Sequence, residues 1–509
     1  MGSYIVRRIL ASLLILLAAS FLMFALVTLS GDPLAEFTGS NAPDKERLIQ
    51  ERIQTLNLDR PFLVQYFLWL GGAVGCVVPG VGCDLGVNLS NQPVTSLIVD
   101  AFPTTLQLVL AATILAIVLG ISIGIISAIR QYTAFDYSIT FLAFLFYSLP
   151  IFWVAVLLKQ FGAIRINDWL KAPTVTLPTA IVIAGFSALF FSAVIGGSRK
   201  RRLLVGLGAG AGAVLIFVGL VASGWFSNPG MGPVVVTVTA AAVAVGVTLL
   251  FTNLENKRVL FVALGTAAVG VITAYAALPL LENPSWLTLI GLGAFVTAVG
   301  VGLAFAFGDI DRPPAIRASV LTSFGVGLLV FMDRTVSSFA AYSAEVNGRP
   351  IATIGSKTPN FSGTFWEGVL DTATHLILPT LAIMLISFAG YSRYSRASML
   401  EVLNADYVRT ARAKGLTERT VVLRHAFRNA MIPLATLAAI DFGAVISGAI
   451  ITETVFGWKG MGVLFTSAVQ REDAYQIMGV FMVTAIAVLL FNLIADISYA
   501  VLDPRIRLS

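Results

Sequence analysis

The sequence predicts an all-α polytopic membrane protein, and three observations carry that reading. Hydrophobic residues fill 57% of the 509 positions and charged residues only 12%, about half the charged share usual in a soluble chain. Mean hydropathy is +0.88. The apolar positions gather into twelve stretches of the roughly 20 residues that a helix needs to cross a bilayer. Helices satisfy their own backbone groups where no water can, so they are the expected form of such stretches.

In chain order the stretches run at about 9–30, 104–129, 138–158, 176–197, 203–226, 233–254, 259–281, 287–308, 318–336, 376–391, 430–456 and 475–501. Basic clusters alternate with them. Placing Arg7 and Arg8 in the cytoplasm puts six further clusters on the same side: Arg130, Arg199 to Arg202, Lys257 with Arg258, Arg312 with Arg317, Arg393 to Arg428, and Arg505 with Arg507. That is the positive-inside pattern, and it expects both termini to be cytoplasmic. The ninth stretch is the least regular, because Asp333 and Arg334 sit near its outer end. The first is long and is followed by Gly31-Asp32-Pro33, which is not a small-x-small cleavage site, so it reads as a span and not as a signal peptide.

Two loops are informative. Residues 31–102 form a long outer loop in which 44–58 and 62–70 have helical patterning, separated by Asp59-Arg60-Pro61. Its Gly-rich part holds Cys76 and Cys83, on a side that permits oxidation. A disulfide between them is expected, with two free thiols as the alternative. The inner loop 393–428 is strongly basic. Within it 405–414 favours a helix, Gly415 stops that helix, and Thr417 is placed to cap a second one with Thr420 three residues on. Helix, turn and helix on the cytoplasmic face make a docking element; a solvated basic linker is the plain alternative.

The chemistry left open is narrow. No Lys follows a Gly, so the Gly-Lys-Ser/Thr end of a phosphate-cradling loop is absent. Two histidines, His375 and His425, and two cysteines are too few for a zinc or redox framework of usual spacing. No cofactor or metal is expected, and no nucleic acid, since the net charge of +6 is accounted for by the inner face. Asp441 and Asp496 fall within apolar stretches, where a charge is costly and functional by default. Asp441 opens a polar run that includes Ser447 and is a candidate for lining a translocation path; a structural bond to a neighbouring helix is the alternative. Asp496 reads as an interhelical or capping group. Pro150, Pro379 and Pro433 are positioned to kink their spans.

At Tyr407-Val408-Arg409-Thr410-Ala411-Arg412-Ala413-Lys414-Gly415 the chain resembles the EAA loop of permease subunits of bacterial ABC importers, in the form of the dipeptide, oligopeptide and nickel branch. Arg409-Thr410-Ala411 stands where Glu-Ala-Ala is usual, and Gly415 at the loop glycine. The opening Tyr4 to Leu10 and Gly31-Asp32-Pro33, Leu58-Asp59-Arg60-Pro61, Asp84-Leu85-Gly86, Phe102-Pro103-Thr104-Thr105, His375 to Pro379, Glu453-Thr454-Val455-Phe456, Gly460-Met461-Gly462 and Asp496 to Arg505 resemble the same branch in the same order. Lys459 departs from it, standing where proline is usual.

The resemblance covers 1 to about 170 and about 360 to 509. It implies a type I ABC importer transmembrane fold of six core helices, interrupted by about six inserted ones: a first core half at 1–172, inserted helices at 173–337, and a second core half at 338–509. The inserted stretches are rich in small residues, with Gly206 and Gly210, and Gly208 and Gly212, at small-xxx-small spacing. The resemblance further implies a membrane-embedded, non-enzymatic subunit. Its partners would be a homologous second permease, two cytoplasmic ABC ATPases and an extracytoplasmic peptide-binding protein, with a peptide as cargo and ATP hydrolysis left to the ATPases. Coupling to the ATPase would fall to Arg409, Thr410, Ala411, Ala413 and Gly415. Nickel chelates, glutathione or another small solute are alternative cargoes. A self-contained secondary transporter or channel is the alternative of a different class, against which the lack of repeat symmetry between the halves counts.

Overall fold

The computed structural model describes residues 2–30, 33, 34, 45–76, 78, 80, 82–195 and 197–502, except the side chains of 2–4, 439, 440, 442–448, 495 and 498–502. Gly31, Asp32, Arg505, Arg507 and the side chain of Ser447, all singled out above, lie outside these.

The described residues are overwhelmingly helical. In chain order the helices are α1 Gly2–Ser30, α2 Lys45–Thr55, α3 Phe62–Gly75, α4 Val94–Ile129, α5 Ala134–Ser148, α6 Ile151–Leu157, α7 Arg165–Lys171, α8 Leu177–Ile195, α9 Arg199–Ala222, α10 Gly232–Phe251, α11 Lys257–Ala276, α12 Leu278–Leu281, α13 Trp286–Phe307, α14 Arg312–Ser337, α15 Phe339–Glu345, α16 Phe365–Leu403, α17 Asp406–Ala413, α18 Glu418–Thr420, α19 Phe427–Phe456, α20 Met461–Gln470 and α21 Ala474–Leu502. Ten of the described helices are long and apolar enough to cross a membrane, and α5 with the bent continuation Ile151–Lys171 makes an eleventh. The remaining expected stretch, the eleventh in chain order, lies in α19, 30 residues long.

The third expected span is not straight. It breaks between α5 and α6, with a bend of 104°. Leu149 is extended there, at φ −82° and ψ 129°, because the Pro150 ring disfavours a helical residue before it. A π-helical stretch, Leu158–Ile164, then widens the second limb. Pro103, Pro379 and Pro433, by contrast, are carried inside α4, α16 and α19.

The chain divides into two compact units. The first comprises 1–162, 353–356 and 376–509. Its centre is α4, whose Leu108, Val109, Ala112 and Ala116 are fully buried. Gly120 and Gly124 bring α4 against α16: a Cβ at Gly120 would come within 2.5 Å of the Tyr391 side chain, and one at Gly124 within 2.5 Å of the Ser392 carbonyl. An ion pair, Arg8 to Asp496 at 3.3 Å, sets the start of α1 beside the end of α21. The interhelical partner expected for Asp496 is therefore Arg8. This unit has two distinct ends. One gathers the end of α4, the end of α16, α17 and the start of α19. The other gathers the start of α4, α20 and the start of α21.

The second unit comprises 163–352 and 357–375, so it is wider than the 173–337 expected for the insert and takes in the first turns of α16. Within it α8 and α9 form a hairpin. Gly206 and Gly210 face the α8 backbone at Ala188 and Ala184, while Gly208 and Gly212 meet nothing within 4 Å. One of the two small-xxx-small pairs thus makes the helix contact and the other does not, as a 100° step per residue requires. Helices α10, α11, α13 and α14 pack around small side chains, among them Ala244, Val259, Val262, Ala263 and Ala304, all fully buried. The charges that disturbed the ninth span are accommodated: Asp333 accepts a hydrogen bond from the Met231 backbone at 3.0 Å, and Arg334 lies over the Tyr275 ring at 5.9 Å.

Candidate coupling surface and translocation path

Helix α17 is amphipathic, and its apolar side is already used. Val408 and Ala411, three residues apart, are 0% and 5% exposed and pack in one cluster with Ala128, Met399, Val421, Val422 and Ala426. The opposite face, Tyr407, Arg409, Thr410, Arg412, Ala413 and Lys414, is exposed. Ala411 therefore does not offer its small side chain outward; its smallness lets α17 lie close on its own chain. Gly415 follows at φ +77°, a left-handed conformation that a residue with a Cβ adopts at a cost, and its N–H returns to the Arg412 carbonyl at 2.9 Å. Across the turn the Arg412 guanidinium donates to both Glu418 oxygens, at 2.7 and 3.2 Å, which holds the Glu418 carboxyl below its ordinary range.

The second helix of this loop differs from expectation. It is a single turn, α18, which runs through a π-helical stretch, Val421–Ala426, into α19. Thr417 occupies the cap position but makes no side-chain bond to the backbone there; its hydroxyl meets that of Thr420 at 2.9 Å.

Close to this surface lies a polar lock that the sequence reading did not single out. Asp136, 2% exposed, accepts from Arg396 Nε at 2.7 Å and Nη2 at 2.9 Å, from Ser127 Oγ at 2.5 Å and from the Tyr132 N–H at 3.1 Å. It joins the α4–α5 turn to α16 one helical turn before Met399. A signal was available: Thr133 caps α5 by accepting from the Asp136 N–H, a spacing of the capping-box kind.

The candidate path residue Asp441 lies near the Tyr391 hydroxyl on α16, but that hydroxyl has no hydrogen-bond partner at ordinary distance and angle. Tyr391 is 1% exposed and packs against Ala116, Met384 and Phe388.

At the other end of the first unit, Glu453 is fully buried. Its carboxylate accepts from Thr105 Oγ1 at 2.5 Å and from the N–H groups of Gly462 and Val463 at 2.9 and 3.2 Å. Thr105 in turn accepts from the Met461 N–H at 2.7 Å. A carboxylate at a helix N-terminus satisfies donors that no intrahelical partner can reach. The Thr104-Thr105, Glu453 and Gly460-Met461-Gly462 motifs thus meet in one knot, and a Cβ at Gly462 would come within 2.6 Å of Ile450. Beside it Asp473, 3% exposed, accepts from the Leu89 N–H at 2.6 Å; burial pushes its carboxyl up, and the N–H groups of Leu89 and Gln476 oppose that. Lys459 is exposed. Cys76 and Cys83 are joined as a disulfide, with Cα atoms 4.1 Å apart. Among the described residues no group of three or more His, Cys, Asp or Glu side chains is arranged to hold a metal ion.

Residues 211–508, α17 and both polar knots' later halves included, match the family model described as the binding-protein-dependent transport system inner membrane component. Residues 1–109 match the model of the N-terminal part of such membrane components. The chain belongs to this family. Among its similar relatives are the oligopeptide transport system permease protein OppB of Mycobacterium tuberculosis, 26% identical over the whole of both chains, and the corresponding protein AppB of Bacillus subtilis, 25% identical over the whole of both. The dipeptide transport system permease protein DppB of Escherichia coli is 45% identical over 138 residues, which cover 27% of this chain and 41% of that one. As a member of this family, with ten described helices of spanning length and composition, the chain is an integral membrane protein.

Proposed function

We propose that the chain is a permease subunit of an ATP-driven importer that carries di- or oligopeptides across the cytoplasmic membrane by alternating access. The observation that carries this reading is α17: a helix whose apolar side is spent on its own chain and whose exposed side is basic, in a member of a family of transport-system membrane components. The relatives named for oligopeptide and dipeptide transport supply the cargo class.

On this reading two cytoplasmic ATPases, a second homologous permease and an extracytoplasmic peptide-binding protein complete the machine. Tyr407, Arg409, Thr410, Arg412, Ala413 and Lys414 meet a cleft on one ATPase, where a negative wall complements them. Movement of that cleft is passed through Val408 and Ala411 to Met399 and the base of α16, and the Asp136–Arg396 pair carries the α4–α5 turn along. Asp441 lines the path and its carboxylate receives a peptide amino terminus, with Ser447 of the same polar run the second candidate. The termini are cytoplasmic, a reading supported by the Arg8–Asp496 pair, which brings the two terminal helices together at one end.

Uptake competition in a strain lacking the chain tests the cargo: complementation by the chain should restore uptake that unlabelled di- and oligopeptides compete and nickel chelates do not. Competition by nickel alone would reassign the cargo. For coupling, Gly415→Val should abolish uptake while membrane insertion persists, since Val at φ +77° costs about 1–2 kcal/mol and misdirects the turn. Topology is read by single cysteines in a cysteine-free background: Ser90→Cys, Asn283→Cys and Ser356→Cys should react with an impermeant reagent in intact cells, and Thr417→Cys only after lysis.

A further inference from the structure

The hairpin α8–α9 stands apart from the other helices of its unit in what surrounds it. None of the α8 positions is buried, and only 11% of the apolar window of α9 is. Its own two helices meet through Gly206 and Gly210, and near its far end Phe217 stacks on Trp169 while Phe226 meets that ring edge-on. The outward residues Ile181, Val182, Phe186, Leu203, Leu204 and Leu207 are all more than half exposed. In a bilayer that surface is bathed in lipid.

The tip of this hairpin carries Arg199, Lys200, Arg201 and Arg202 in succession, turned out by Gly197 at φ +97° and capped by Ser198. Arg199, Lys200 and Arg201 are exposed and have no acidic partner among the described residues, whereas Arg202 donates from Nε to the Ser192 carbonyl at 3.4 Å. The comparable turns of the same unit differ. Arg258 pairs with Asp309 at 2.8 Å, Arg312 lies 6.0 Å from the Phe305 ring centroid, and acids occur beside both clusters, at Glu255, Asp309 and Asp311. At 199–202 the first turn carries no acid at all. Three or four uncompensated cations, at the level where apolar helices leave the hydrocarbon, attract the phosphates of anionic lipids.

We propose that the tip Ser198 to Arg202 is a binding site for anionic phospholipid headgroups, with acyl chains lying along the exposed faces of α8 and α9, and that it anchors this hairpin in the bilayer. A phosphodiester is the shared chemistry; a free phosphate would use the cations but not the apolar flanks.

The test uses the purified full-length chain in detergent, titrated with phosphatidylglycerol or phosphatidylcholine of matched acyl chains and read by native mass spectrometry, with glycerol phosphate and inorganic phosphate as competitors. Phosphatidylglycerol should be retained about tenfold or more over phosphatidylcholine at low salt, and R199Q/K200Q/R201Q/R202Q should lose that preference. Should the fourfold variant fail to fold, the parent chain decides the matter alone: its preference should fall several-fold between 50 and 500 mM salt, as a site made of exposed charges must. Equal retention of the two lipids, a preference indifferent to salt, or a folded fourfold variant that keeps the preference overturns the site. Displacement of the lipid by millimolar inorganic phosphate would overturn the lipid assignment in favour of a soluble phosphate ligand.

Discussion

Two groups of helices, one in each unit, are held together by different means. In the first, buried carboxylates do it: Glu453 ties α4, α19 and α20, and Asp136 ties the α4–α5 turn to α16. In the second, the four-helix group α10, α11, α13 and α14 relies on small side chains at close approach, with Gly300 against Thr266 and Ser319, Gly270 against Val326, and Gly325 against Val243. The difference is instructive because apolar side chains gain little by leaving lipid for another helix, so packing in a membrane rests on contact and on hydrogen bonds. Small-residue packing yields affinity between helices along their length. A carboxylate with three or four donors adds direction, since only one arrangement of its neighbours satisfies it. Neither kind is confined to one unit: Gly120 and Gly124 bring α4 close to α16 in the first, and in the second the buried Asp371 accepts from Tyr342 and Thr358.

Breaking the largest of these knots should have the largest effect. Glu453→Ala strands two backbone N–H groups and a threonine hydroxyl in a buried site, at about 1–3 kcal/mol for each group left unpaired. A loss of roughly 3 kcal/mol or more is expected, visible as a large drop in melting temperature in detergent and as lost uptake, with Glu453→Gln recovering part of it. Parental melting of the alanine variant would show that the knot is not what secures α20.

The Asp136–Arg396 pair sharpens the comparison next. A double-mutant cycle of Asp136→Asn and Arg396→Gln should return a coupling of about 1–3 kcal/mol, and each single variant should lower uptake per ATP hydrolysed. Additive effects would reduce the pair to two independent contacts.

In the second unit Gly300→Ala should cost about 1–3 kcal/mol by overpacking, because its Cβ would stand 2.7 Å from Thr266. Uptake should change less than for the Glu453 variant. Smallest of all, Gly212→Ala should be neutral or slightly stabilising, by up to about 1 kcal/mol, since it meets open space, whereas Gly210→Ala should destabilise against the Ala184 carbonyl. Equal melting of the Gly210 and Gly212 variants would contradict the observed face of the hairpin.

Much of the fold was legible. Helix α17 ends where Gly415 said it would, the short helices of the loop 45–75 appear, and the membrane character follows from hydropathy alone, because a long apolar run has few other ways to satisfy its backbone. The break at Leu149 was half legible: Pro150 announced a kink, but a bend of 104° depends on what the two limbs pack against. Asp136 was passed over because it lies outside the apolar runs in which carboxylates attract notice, and its partner Arg396 is 260 residues away. Glu453 stands in a motif whose sequence shows no role for it, because its donors come from two other segments, at Thr105 and at Gly462 with Val463.

The sequence by itself determined which stretches are helical and apolar, where the basic residues cluster, and that a glycine turn follows the candidate coupling helix. These are local matters, settled by propensity, periodicity and the cost of putting polar groups in hydrocarbon. Only the tertiary structure decided which face of each helix is spent on its neighbours. It turned Ala411 inward and Arg409 outward, gave Asp496 the Arg8 guanidinium, and sorted Gly210 from Gly212. Each of those outcomes depends on the rotation of one helix against another, and rotation is set by contacts between residues far apart in the chain, which no local pattern records.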